Sequence, residues 1–206
     1  TLIDKGALTW DAARPAANIL IGGVDGLIAI NALHARRPDL KLLANGMLGR
    51  LKPPQEAVLP VDMFGSDARS NAQSVREAVR HLAAGGALFT FPAGEVAHLR
   101  WGHTRVFDPP WTRAAARLIK LAAVPVVPMH FSGRNSSAFQ IAGLLHSRLR
   151  TLLLPRELLN KSGSTVQVRI GGPLSARRIA KLGEPAAIAR HLRATLAPPT
   201  GALAIV

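Results

Sequence analysis

The sequence predicts an α/β fold, a single-domain sheet with helices packed on its faces. Three observations carry that expectation. Strand-type and helix-type patterns alternate along almost the whole chain. Continuous apolar runs, such as Val124, Val126 and Val127 around Pro125, suit strands buried on both sides, as parallel sheets require. A length of 206 residues with 48% hydrophobic content is enough to bury one sizeable core, which places residues 1–206 in one domain.

The opening residues show no clear period, whereas residues 16–21 form a short apolar run closed by Gly22-Gly23, the punctuation of a buried strand. Asp25 follows where loop becomes helix, and residues 26–35 are apolar enough to form that helix. Arg36-Arg37-Pro38-Asp39 ends it, because the residue before a proline disfavours helical backbone. Residues 40–44 and 57–61 read as the next two strands, separated by a loop carrying Arg50, Lys52 and Pro53-Pro54. Val75, Ala78, Val79 and Leu82 recur at helical spacing, so an amphipathic helix spans residues 70–84 and stops at Gly85-Gly86. Residues 87–91 form a buried strand, and residues 92–104 a loop with His98, Arg100, Trp101 and His103. Pro109-Pro110 then leads into a helix over residues 113–122. A strand over 124–131, a helix over 138–145, a loop or short helix over 155–160, a strand over 165–170 and a helix over 185–196 complete the alternation. The tail, residues 197–206, begins with a Pro-rich stretch and is expected to be mobile.

Composition narrows the chemistry. With no cysteine, disulfides, thiolate catalysis and cysteine-bound metal are excluded. The formal net charge is +14, supplied mostly by arginine, which suits planar capture of phosphate or carboxylate and points to an anionic partner. Stacking platforms for bases are scarce, with no Tyr, 6 Phe and 3 Trp, so a membrane surface is favoured over nucleic acid. The longest apolar run, residues 16–33, is broken by Asp25 and glycines and does not read as a membrane span. Because the chain opens on Thr1 rather than Met, a leading segment is expected to have been removed.

Four passages carry candidate chemistry: Asn18-Ile19-Leu20-Ile21-Gly22-Gly23-Val24-Asp25-Gly26; Phe91-Pro92-Ala93-Gly94-Glu95-Val96; Gly133-Arg134-Asn135-Ser136 after a strand; and Leu154-Pro155-Arg156-Glu157-Leu158-Leu159-Asn160-Lys161. Gly94 lets backbone approach a ligand, and Glu95 can bond a hydroxyl or pair with an arginine. Arg134 sits where a strand ends, a position suited to binding phosphate or carboxylate. Asn135 either bonds a headgroup or, with Ser136, caps the following helix. Arg50 reads as a phosphate-binding loop cation or as a solvated charge. Arg148, Arg150 and Arg156, interleaved with leucines, fit either an anionic bilayer or an ordinary buried turn.

Together these passages resemble the lysophospholipid acyltransferase (glycerolipid acyltransferase) family, and more narrowly its bacterial hemolysin-like branch. The commoner family block has Glu at the position of Ala93 and Arg at that of Val96, and this departure itself resembles that branch. The resemblance implies transfer of a fatty acyl group from an acyl thioester, acyl-CoA or acyl carrier protein, to the hydroxyl of a lysophospholipid or lyso-aminolipid. It implies no further cofactor and no metal. Asp25 matches the family aspartate that orients a catalytic histidine, with Gly94, Glu95, Arg134, Asn135 and Arg50 as substrate-binding candidates. The implied setting is cytoplasmic and peripheral, at the anionic inner face of the membrane, with no nucleic acid partner.

The histidine itself is missing. Counting back from Asp25, its place falls on Leu20 or Ile19, neither of which takes a proton. Losing a positioned general base typically costs ~10²–10⁴ in rate. The same resemblance therefore implies either a rate-impaired acyltransferase or a noncatalytic lipid-binding relative. His34 with Asp39 has the family spacing outside the family's context, His98 and His103 follow the Gly94 loop, and His130 lies on a strand where a core role is expected.

Overall fold

The computed structural model describes residues 14–17, 23–33, 36–45, 57–61, 68–94, 96–104, 106–107, 109–131, 135–160, 165–166 and 168–196. In chain order the elements are β1 (Arg14–Ala17), α1 (Gly23–Leu33), β2 (Lys41–Asn45), β3 (Val58–Val61), α2 (Ala68–Ala83), β4 (Leu88–Thr90), β5 (His98–Leu99) and β6 (Val106–Phe107). There follow α3 (Arg113–Ala122), β7 (Val126–Phe131), α4 (Ser137–Leu145), α5 (Ser147–Leu152), α6 (Leu154–Asn160), β8 (Val168–Ile170), α7 (Ala176–Ala180) and α8 (Pro185–Leu196).

Strand β2 pairs in parallel with β3 and β4, in the registers Leu43 to Leu59 and Leu42 to Phe89. Strand β1 pairs in parallel with β7, Pro15 opposite Val127, and β8 runs antiparallel on the far side of β7. Since β1 lies beside β4, the spatial order is β3-β2-β4-β1-β7-β8.

Period-two alternation decides which helix covers which face. Leu42, Ala44, Phe89, Met129 and Phe131 point to one face and bury against Ala29, Ile30 and Leu33 of α1. Leu43, Leu59 and Leu88 point the other way, against Ala78 and Leu82 of α2 and Leu118 of α3. A third cluster joins Ile119 of α3, Ile179 of α7 and Ile188 and Leu192 of α8 to Val126 of β7. Each such side chain contributes about 1.5–3 kcal/mol on burial, so this sandwich, with helices on both faces of the sheet, holds the strand ends in place.

The expected alternation of strand and helix is present, with local differences. The first strand lies at Arg14–Ala17 rather than over residues 16–21, and residues 18–22 are outside the described set. The loop expected over residues 92–104 holds β5, which pairs with β6 in a two-stranded antiparallel ribbon too short to leave a period. Helices α5 and α7 were not expected, having 6 and 5 residues and thus barely more than one turn. The short helix over residues 155–160 is realised as α6. Residues 197–206, the expected mobile tail, lie outside the described residues.

Candidate functional site

Open α/β sheets bind ligands beyond the carboxyl ends of their parallel strands. Three of the sequence-predicted segments follow parallel strands at that edge. Helix α1 follows β1, with Asp25 as its third residue. Its next residue, Gly26, is buried, and a Cβ built there would lie 3.2 Å from Phe91 Cζ and 3.3 Å from Leu42 Cδ2. Glycine at this position lets α1 close onto the phenylalanine that follows β4, so the start of α1 and the Phe91 block share one end of the sheet. Phe91 continues an aromatic row, edge-on to Phe89 at 5.2 Å between centroids, and Phe89 is edge-on to Phe131 of β7 at 6.1 Å.

Residues Phe91 to Gly94 form a turn closed by a hydrogen bond from Gly94 N to Phe91 O at 3.0 Å. Gly94 has φ 74°, a left-handed conformation that a Cβ would strain. Thr112 N, at the start of α3, donates to Pro92 O at 2.8 Å and anchors the turn from behind. Glu95 lies outside the described residues, as do Arg134 and Arg50.

Past β7, the two readings of Asn135 and Ser136 separate. Ser136 is the cap of α4, its Oγ accepting from Phe139 N at 3.3 Å. Asn135 is only 3% exposed, and among the described residues neither its Nδ2 nor its Oδ1 has a hydrogen-bond partner. A buried amide with donor and acceptor both unspent costs stability and calls for an occupant. Behind it, the carboxylate of Glu157, 1% exposed, accepts from Ser136 N at 2.7 Å and from Ser136 Oγ at 2.5 Å. Helix α6, which carries Glu157, also packs on α1. The segment holding Asp25 and the segment holding Asn135 thus share one support.

A family model described as "Acyltransferase" matches residues 13–193. The chain belongs to that acyltransferase family. It is 25% identical over 200 residues to a lyso-glycine lipid O-acyltransferase of Phocaeicola vulgatus, covering 93% of this chain and 68% of that protein. To a lyso-glycine lipid O-acyltransferase of Bacteroides thetaiotaomicron it is 26% identical over 185 residues, 86% of this chain and 66% of that protein. It therefore spans about two thirds of the length of these relatives.

Within this acyltransferase-family chain the histidine candidates separate. Asp39, the partner of His34 by spacing, is engaged elsewhere. Its carboxylate accepts from Arg37 Nε at 2.8 Å, Arg37 Nη2 at 2.6 Å and Ala87 N at 2.9 Å. The bidentate guanidinium is the chief reason its pKa falls to about 2. Asp39 thus ties the entry of β2 to the entry of β4, a structural role. His34 is outside the described residues. His98, on β5, has its Nδ1 2.9 Å from Val96 O, and His103 is exposed. His130 is half-buried on β7, consistent with a core position.

Sequence reasoning assigned no role to two residues that hold the segments of the candidate site, Gly26 and Glu157. The signal for Glu157 was present, as the one acidic residue in the Arg- and Leu-rich stretch over residues 148–161. Arg150 is a correction to the bilayer reading of that stretch. It is buried, its Cδ 3.1 Å from where a Cβ on Gly143 would sit, so it packs α5 onto α4. Among the described residues no group of three or more His, Asp or Glu could hold a metal, and no helix is long and apolar enough to cross a membrane.

Proposed function

We propose that this chain binds a lysolipid acceptor and an acyl thioester at the carboxyl edge of its sheet and transfers the acyl group to the acceptor's free hydroxyl. The observation that carries this reading is Asn135, a buried amide with no partner among the described residues, set past the carboxyl end of β7 just before the cap of α4. Its donor and acceptor suit the hydroxyl and amide groups of a lyso-aminolipid headgroup. The relatives' action on lyso-glycine lipids supports that acceptor over lysophosphatidate. Gly94, Glu95, Arg134 and Arg50 complete the substrate-binding set, with acyl-CoA or acyl carrier protein as donor.

In the reaction the acceptor oxygen attacks the thioester carbonyl, the new C–O bond replaces the C–S bond, and the hydroxyl proton ends on the released thiol. Asp25 lies where the family aspartate orients a base. The histidine that would be this base is absent from its place in the motif, where Ile19 and Leu20 stand. Turnover then rests on orientation and electrostatics and is slow. The work is done at the cytoplasmic face of an anionic membrane, to which the +14 charge is drawn. The missing base favours a second reading, a noncatalytic lipid-binding relative with the same site.

Acyl transfer to lyso-aminolipid and lysophosphatidate acceptors, followed for this chain and for Ile19→His and Leu20→His, separates the two. A gain of ~10²-fold or more in either histidine variant supports an acyltransferase site short of its base. Turnover by this chain that is lost in Asp25→Ala means another group supplies the base. No transfer by any of the folded proteins, with lysolipid still bound, selects the noncatalytic reading.

A further inference from the structure

Several large apolar side chains are exposed together outside the candidate site. Trp101, in the turn between β5 and β6, is 75% exposed, and its Nε1 donates to Leu144 O at 3.1 Å. The indole N–H is therefore satisfied while the ring stays in solvent, held over the end of α4. One face of α4 exposes Ile141 and Leu145, four residues apart and 58% and 70% accessible. Helix α5 extends the apolar surface with Leu149 and Leu152, at 45% and 70%. The buried side of α4 is used elsewhere, Phe139 in the core and Gln140 Oε1 accepting from Leu99 N at 2.8 Å. The exposed side is thus not a misplaced core face.

Charge identifies what covers this surface. Arg100, next to Trp101, is exposed, as are His146 between α4 and α5 and Arg156 on α6. Between residues 96 and 160 the only acidic residues are Asp108 and Glu157, and Glu157 is committed to Ser136. Leucines and a tryptophan with its polar atom satisfied, bordered by cations, match an interface between acyl chains and anionic headgroups. A soluble protein partner would be expected to meet a more mixed rim.

We propose that the β5–β6 turn, the free face of α4 and α5 form the surface by which this protein docks on an anionic phospholipid bilayer. The inference rests on the reading that its acceptor is a membrane lysolipid, and it adds where the membrane sits. Helix α4 is capped by Ser136, beside Asn135, so docking through α4 sets the bilayer against an element that borders the candidate site.

The test is co-sedimentation of the full chain with vesicles of phosphatidylcholine alone and of phosphatidylcholine with phosphatidylglycerol, free of lysolipid and thioester. Trp101→Ser with Leu145→Ser is expected to lower partitioning onto the anionic vesicles about tenfold or more. Leu121→Ser, on α3 and 68% exposed, is expected to leave it unchanged. Equal loss in both variants, or no vesicle binding by the parent chain, overturns the proposal. So does a parent chain that self-associates without vesicles and is made monomeric by the double substitution, because the face then joins copies of the chain. Acyl transfer to detergent-dispersed lysolipid is read in parallel. Activity without vesicle binding sinks the docking surface alone, whereas Trp101-dependent binding without lysolipid recognition sinks the functional reading alone.

Discussion

Ser136 donates both its backbone N–H and its hydroxyl to the buried carboxylate of Glu157, joining the start of α4 to α6. Hydrogen bonds to a charged acceptor are stronger than neutral ones, and removing the acceptor strands two donors in a dry site. Glu157→Ala is expected to destabilise the fold by about 2–4 kcal/mol in urea unfolding, and Glu157→Gln by roughly half as much. An effect under about 0.5 kcal/mol in both would mean the pair carries little of the site's support.

The close approach of Gly26 to Phe91 is tested by adding the missing carbon. Alanine in a helix gains about 0.5–1 kcal/mol over glycine, but contacts of 3.2 and 3.3 Å require Phe91 and Leu42 to give way. Gly26→Ala is expected to stay within about 1 kcal/mol of the parent in stability while weakening lysolipid binding by displacing the Phe91 turn. Gly26→Val adds branching at the same contact and is expected to cost about 2–3 kcal/mol. Calorimetric binding and thermal unfolding, measured side by side, separate the two effects.

Asn135→Leu reverses the usual direction. The leucine fills nearly the same volume without an unspent amide, so the free protein is expected to hold its stability or gain about 1 kcal/mol. Lysolipid affinity is expected to fall about tenfold or more, because the headgroup loses its donor and acceptor. A destabilised variant with unchanged affinity would assign Asn135 to the fold instead.

Acid sensitivity traces to Asp39. Its folded pKa is lowered from 3.8 to about 2 by Arg37, so the stabilisation is fully present above about 4 and is lost as pH falls toward 2. The Asp39 side chain is 39% exposed, and solvent screening limits the effect to about 0.5–1 kcal/mol. Glu77, lowered by the hydrogen bond from Lys41, acts in the same direction. Urea midpoints from pH 5 to pH 2 should fall less steeply in Asp39→Asn than in the parent. Parallel curves would remove Asp39 from the acid response.

Periodicity and punctuation alone determined the alternation of strand and helix, including α3 and α8 at the very residues expected, because long amphipathic segments bounded by Pro or Gly carry their own signal. The same local chemistry marked Gly94 as a loop position for close backbone approach and Asp25 for the start of a helix. Tertiary structure decided the rest. Short elements such as β5, β6, α5 and α7 hold too few residues to show a period, and single tertiary anchors such as Leu99 N to Gln140 Oε1, Arg150 over Gly143 and Ile179 in the core hold them. Capping could have fallen to Asn135 or Ser136, since both side chains suit a helix start, and only the distant Glu157 assigns it to Ser136 and leaves Asn135 buried with its amide open. Nor does local sequence distinguish Arg150, buried over Gly143, from a headgroup-facing arginine, or show that Gly26 is spent on Phe91. These are contacts between residues far apart in the chain, and propensity carries no information about them.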